Sequence, residues 1–165
     1  VCLRQPGPGD LPYIQKLWAD AETMKEVGGP IVMGDEQARR WFQKMVDPGS
    51  PADRYFLICG RDGAPVGEAS FHRYNPETRT AELNIKIEAA KRYLGHGPVA
   101  LRLLLGYFFS QFGGEVMLDP IAPDNIQGRK AIRRFGFEHD SSRTDVFMLR
   151  MTKQRFYSIY AENEH

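Results

Sequence analysis

The chain has 165 residues, of which 42% are hydrophobic and 26% charged; this lies near the globular average and suffices for one well-cored domain over 1–165. With 22 basic against 21 acidic residues, no overall field draws the chain to nucleic acid or to an anionic membrane. VCLRQPGPGD lacks the apolar core of a signal peptide, the stretch from Val99 to Phe112 is too short to cross a bilayer, and Cys2 and Cys59 lack metal-ligand spacing, so a soluble, cytoplasmic protein with inert thiols and no metal is expected.

In chain order, CLR reads as a first strand, and GDLPYIQKLWAD as a helix capped by Asp10 with Leu11, Ile14, Leu17 and Trp18 on one face. A second helix starts at Asp35, because Ala38, Trp41, Phe42 and Met45 recur at helical spacing. The period then changes: RYFLIC and PVGEASFHRY flank an Asp62-Gly63 hairpin signal, and NPET turns the chain into TAELNIKI, giving three antiparallel strands. Leu101, Leu104, Leu105, Phe108 and Phe112 form one helical stripe closed by Gly113-Gly114. EVMLD is a further strand, NIQGRKAIRRFG a helix stopped at Gly136, and DVFMLRM a last strand before a helical tail.

Between the third strand of that meander and the long helix lies RYLGHGP, Arg92 to Pro98. A strand, a glycine-containing turn and a helix amino terminus bring unpaired backbone N–H groups and the helix dipole to one concavity, which suits an anion. Gly95 and Gly97 permit close backbone approach, Pro98 fits the first helical turn, and Lys91 and Arg92 add charge at the rim. Spacing alone fits a plain strand-to-helix turn equally well.

Order and context extend the reading. Arg92-x-x-Gly95-x-Gly97 resembles the R/Q-x-x-G-x-G/A segment of the GNAT superfamily of acyl-CoA-dependent N-acyltransferases. RQPGPGDLPYIQKLWAD resembles that family's opening strand and helix, DAETMKEVGGP the connection in its ribosomal-protein N-terminal acetyltransferase branch, and NIQGRKAIRRFGF its closing Asn-to-Gly-Phe segment, so the likeness runs from Leu3 to Phe137. The resemblance implies an α/β (α+β) fold: a mixed, mostly antiparallel, twisted sheet flanked by helices, whose fourth and fifth strands splay apart to admit acetyl-CoA. It places cofactor contacts at Ile85, Ile87, Arg92, Tyr93, Leu94, Gly95, His96, Gly97, Pro98, Val99, Asn125 and Arg129, with the pyrophosphate on the amides from Leu94 to Val99. Asn125 equally suits a helix cap.

The implied reaction is direct attack of a primary amine on the thioester, and an alkyl ammonium with a reference pKa near ~10.4 must first lose a proton. In TAELNIKI the alternation puts Glu82, Asn84 and Lys86 on one face, and Glu82 is the candidate base, directly or through water; a solvated strand glutamate is the alternative. His72 is a second candidate base, while His96 suits the anion. Ile132 stands where many family members carry the tyrosine that protonates the departing sulfur, which leaves the acid unassigned between Tyr93, Tyr107 or another group. For the acceptor, Asp119 and Asp124 suggest acidic walls like those of aminoglycoside 6'-N-acetyltransferases, whereas the amino-terminal half leans toward enzymes acting on protein N termini. Gly28 and Gly29 with Pro30, and the segment from Asp47 to Asp53, are expected acceptor walls. A catalytically silent acyl-CoA-binding module is the remaining alternative. Pairing into a homodimer is expected through the last strands or through TKQRFYSIY, where Phe156, Ile159 and Tyr160 line up.

Overall fold

The computed structural model describes residues 1–160; residues 161–165, the end of the expected 1–165 domain, lie outside the described residues. Seven strands form one sheet in the order β1-β2-β3-β4-β5-β7-β6. They are β1 (Cys2–Arg4), β2 (Arg54–Cys59), β3 (Pro65–Asn75), β4 (Thr80–Ile87), β5 (Val116–Ile121), β6 (Glu138–His139) and β7 (Phe147–Thr152). Only the β4–β5 pair is parallel. Parallel neighbours need a crossover, which α4 (His96–Tyr107) and the π-helical turn Phe108–Phe112 supply.

Strand alternation divides the apolar residues between two cores. In β2, Tyr55, Leu57 and Cys59 face α1 (Leu11–Ala19) and α3 (Asp35–Met45), whose Leu11, Ile14, Ala38 and Phe42 cover them. Ile58 faces the opposite way, into the larger core built from α4, α5 (Ile126–Phe135) and α6 (Lys153–Tyr160) against Phe71, Leu83, Met117 and Leu149. Each such fully buried side chain contributes about 1.5–3 kcal/mol, and Phe71 additionally meets Phe108 and Phe112 edge-on at 5.0 and 4.8 Å. At Gly67 β3 runs so close to β4 that a Cβ would stand 2.1 Å from the Lys86 carbonyl oxygen, which only glycine avoids.

Some local expectations are corrected. Asp10 does not cap α1: its carboxylate accepts from the Gly7 amide at 2.8 Å and pairs with Arg4, so it closes the short 3-10 turn Pro8–Asp10 instead. The segment after α1 is not mere connection, because it holds α2 (Ala21–Met24) and a 3-10 turn at Lys25–Val27. β6 is a two-residue strand with no periodicity to betray it. Finally, Phe156, Ile159 and Tyr160 do not form a free dimerisation stripe; all three pack on the chain's own larger core, and the Tyr160 hydroxyl donates to the Phe135 carbonyl.

Candidate active site

The β4–β5 ladder is short. Thr80, Ala81 and Glu82 pair with Val116, Met117 and Leu118, and there pairing stops, although β4 continues to Ile87 and β5 to Ile121. Both strands remain paired on their outer edges. A wedge therefore opens between them with its apex at Glu82 and Leu118, its walls carrying backbone N–H and C=O groups that the ladder leaves unused.

The mouth of the wedge is the amino terminus of α4. Gly95 sits at the N-cap with φ +87° and brings no side-chain cap, and Pro98 in the first turn has no N–H. The amides of Gly95, His96 and Gly97 are thus left without intrahelical partners, with the helix dipole behind them. Tyr93 also has positive φ, +65°, and is 93% exposed; a residue held so marks local strain at the turn. His96 Nδ1 is buried and unpartnered among the described residues. Donors aimed into a concavity without protein acceptors fit a pyrophosphate.

These groups line a cleft of about 540 Å³. Of the expected cofactor residues, Ile85, Ile87, Arg92, Tyr93, Gly95, His96, Gly97, Pro98 and Asn125 border it. Leu94 does not and is exposed, and Val99 borders a groove on the outer side of α4 with Leu103 and Tyr157. Arg129 turns away to donate to the Pro123 carbonyl at 2.8 Å and stack 4.6 Å over Phe147. Arg92 lies at the cleft but its guanidinium is engaged by carbonyls, Ile87 at 3.3 Å and Thr23 at 2.9 Å, so its observed bonds hold the turn and α2 onto the end of β4. Asn125 Oδ1 accepts from the Gly128 amide at 2.9 Å: it caps α5 while bordering the cleft.

Sequence reasoning missed Gln127, Lys130 and Arg134, which join Lys91 on the cleft wall. Their spacing was a signal, since 127, 130, 131 and 134 form one helical stripe beside the buried Ile132 and Phe135. Thr23, Glu26 and Val27 from the unforeseen helical segment complete the rim.

On the other face of the sheet, Glu82, Asn84 and Lys86 of β4 stand opposite His72, Ser70 and Glu68 of β3. They form a continuous polar row. Asp53 meets His72 Nδ1 at 3.2 Å, His72 Nε2 meets the Ser70 hydroxyl at 2.9 Å, and Asn84 Nδ2 donates to that hydroxyl at 3.3 Å. Lys86 Nζ donates to Asn84 at 2.8 Å and to Glu68 at 3.0 Å, and Trp18 Nε1 donates to the same Glu68 oxygen at 3.1 Å. Among the described residues the second Glu68 oxygen is buried without a partner, as are the hydroxyls of Tyr13 and Tyr55. Burial first, then the Glu68 charge, holds Tyr55 well above the ordinary phenol range.

Both ring nitrogens of His72 are engaged in this row, Nδ1 with Asp53 and Nε2 with the Ser70 hydroxyl, with the direction of each bond set by the ring tautomer. Glu82 is 28% exposed at the wedge apex, and its ion-pair contact is Arg73 at 3.3 Å.

The expected acidic wall does not form. Asp124 is exposed, and Asp119 turns into the larger core with 9% exposure; burial alone pushes its carboxyl up to about 7. Gly28 and Gly29 shape the turn after the α2 segment without lining the cleft. The 47–53 loop walls a separate cavity of about 390 Å³, and only Asp53 reaches the polar row.

Comparison with known proteins agrees with this geometry. The family described as Acetyltransferase (GNAT) domain matches residues 1–138. No curated protein sequence is matched. Among solved structures, the spermidine N-acetyltransferase of Vibrio cholerae in complex with CoA and spermine aligns with TM-score 0.83 at 18% identity, covering 94% of this chain and 96% of that one. Mutant forms of the Vibrio cholerae spermidine/spermine N-acetyltransferase SpeG align with TM-score 0.80 at 18% identity, over 96% of each chain. At that identity the agreement is one of fold.

Proposed function

The chain belongs to the GNAT acetyltransferase family and is an acetyl-CoA-dependent N-acetyltransferase, and from that premise we propose that it acetylates a small cationic amine of the polyamine kind, with Glu82 as the base. The observation that carries this reading is the position of Glu82: it ends the β4–β5 ladder within the polar row, three residues before Ile85, the first β4 residue to border the cofactor cleft. The solved spermidine N-acetyltransferases of the same fold support the choice of amine. A silent acyl-CoA-binding module has no use for a carboxylate at that apex.

In this reading the amides of Gly95, His96 and Gly97 hold the pyrophosphate, and Lys91, Lys130 and Arg134 add positive charge along the outer cleft. Acetyl-CoA supplies the acetyl group as a thioester. The β4 edge beyond Glu82 presents backbone N–H groups to the thioester carbonyl, fixing it against the polar row. Glu82 pairs with the acceptor ammonium, takes one proton directly or through water, and so frees the lone pair that attacks the carbonyl carbon. No group of three metal-ligating side chains occurs among the described residues, and no step requires one. No described helix is long and apolar enough to cross a membrane.

Thiol release from acetyl-CoA, measured with spermidine, spermine, aminoglycosides and short peptides in turn, tests the reading. Sustained release with a polyamine is expected. Release with peptides alone would move the acceptor to protein N termini, with aminoglycosides alone to that class, and firm binding without release would return the silent module.

A further inference from the structure

The family's tyrosine position holds Ile132, which is buried in the larger core. No phenol replaces it there. Tyr93 is 93% exposed on the turn, and Tyr107 packs against Phe56 and Phe71 far along α4 from the wedge mouth. Any general acid for the departing thiolate is therefore another group.

Asp119 has the required place. It is the first β5 residue beyond the last β4–β5 pair, Glu82 with Leu118, so its backbone forms the wall of the wedge at its apex. Strand alternation puts its side chain on the face of Met117 and Ile121, whose cluster includes Ile132. That is the cofactor side of the sheet, opposite the polar row that carries Glu82. We propose that Asp119 is the general acid of the reaction, delivering its carboxyl proton to the CoA sulfur from the side opposite Glu82. The inference rests on reading the wedge as the thioester channel.

The surroundings keep that proton in place. Asp119 stands opposite Leu149 in the β5–β7 ladder, and its face of the sheet carries the apolar cluster that includes Leu83, Leu101, Leu105, Ile132 and Phe135, with Ile85 packed against it. Lys86 and Glu82 lie on the other face of β4, Arg129 of α5 is held on Pro123 and Phe147, and Lys130 and Arg134 of α5 line the outer cleft. Desolvation is accordingly the sole cause that raises its carboxyl to about 7. An acid with that value is matched to a thiol of reference pKa near ~8.5. As the amine nitrogen bonds to the carbonyl carbon, the carbon–sulfur bond breaks with its electron pair passing to sulfur, and the Asp119 O–H proton follows. The nitrogen, positively charged once bonded to carbon, gives its second proton to water; Asp119, left as carboxylate, regains a proton from water, and the proton taken by Glu82 leaves to solvent, so two protons leave, one returns and one is released per acetyl group moved.

Asp119→Asn, of the same shape but without an acidic proton, is the test. With acetyl-CoA and a polyamine, kcat should fall by about 10²–10⁴-fold, acetyl-CoA affinity by calorimetry should stay within about twofold, and the alkaline limb of the wild-type rate profile near pH 7 should vanish. Asp119→Glu should recover part of the rate. A readout independent of turnover is the ionisation of bound CoA, followed by thiolate absorbance: the Asp119 carboxylate beside the sulfur should raise the thiol pKa in the wild-type complex, and Asp119→Asn should abolish the rise. A wild-type kcat with the alkaline limb intact in Asp119→Asn, or an unchanged thiol pKa, would overturn the assignment. Failure of the unmodified protein to bind acetyl-CoA at all would instead overturn the wedge reading, and this proposal with it.

Discussion

Glu82 shows how position decides a residue's chemistry. Its neighbour Arg73 is 84% exposed, and an exposed ion pair of that kind contributes only about 0–1 kcal/mol; it does not lock the carboxylate away from an incoming ammonium. Glu82→Gln should therefore lower kcat by about 10²–10⁴-fold near neutral pH while leaving acetyl-CoA affinity unchanged. The deficit should narrow as pH rises, because more of the amine is then already neutral and needs no base. Rates measured across the pH range decide this, and a constant deficit would mark Glu82 as structural. The alternation of TAELNIKI was enough to single Glu82 out. It was not enough to choose between Glu82 and His72, because the bonds that occupy His72 come from Asp53 and Ser70, and Asp53 lies 19 residues away in sequence. Asp119, expected in an acidic acceptor wall, is instead buried for a related reason: its burial follows only from the pairing of β5 with β7 on one side and the wedge on the other.

At the scale of elements, the wedge and the α4 amino terminus act as one device. Gly97 lies in the first turn of α4 without positive φ, and a Cβ there would meet only Ile87 Cγ1, at 4.0 Å, so nothing in the folded chain itself requires glycine. Gly97→Asp should be neutral or slightly stabilising for the helix, by about 0.3–1 kcal/mol through the dipole. Against a pyrophosphate about 4 Å away, the same carboxylate costs roughly 4 kcal/mol at an effective dielectric of about 20. The second effect wins wherever the ligand is present. Calorimetry should show acetyl-CoA binding weakened by about 10²–10³-fold with an undiminished melting temperature, and unchanged affinity would remove the pyrophosphate from this turn. The strands and helices that the sequence made legible are those with a sustained period: β2, β4, α3 and the α4 stripe. Short elements escaped. α2 has four residues and β6 two, too few for a period to emerge, and both are fixed by tertiary bonds, α2 by the contacts of Thr23 with Ala89 and Arg92. The splay itself was implied only by family resemblance, since no local pattern says where a parallel ladder will stop.

For the molecule as a whole, the sheet separates two tasks. The larger core, with α4, α5 and α6, borders the cleft, while the smaller core under α1 and α3 supports the polar row on the other face. The tail belongs to the first of these, because Phe156, Ile159 and Tyr160 close the larger core. The reaction would join the two sides only at the wedge apex, between Glu82 and Asp119. Amide hydrogen exchange with and without acetyl-CoA tests that division most directly. The account predicts new protection at Gly95, His96 and Gly97 and along residues 83–87 of β4, with little change in α1 and α3; protection instead around the 47–53 cavity, with α4 and β4 unaffected, would contradict it.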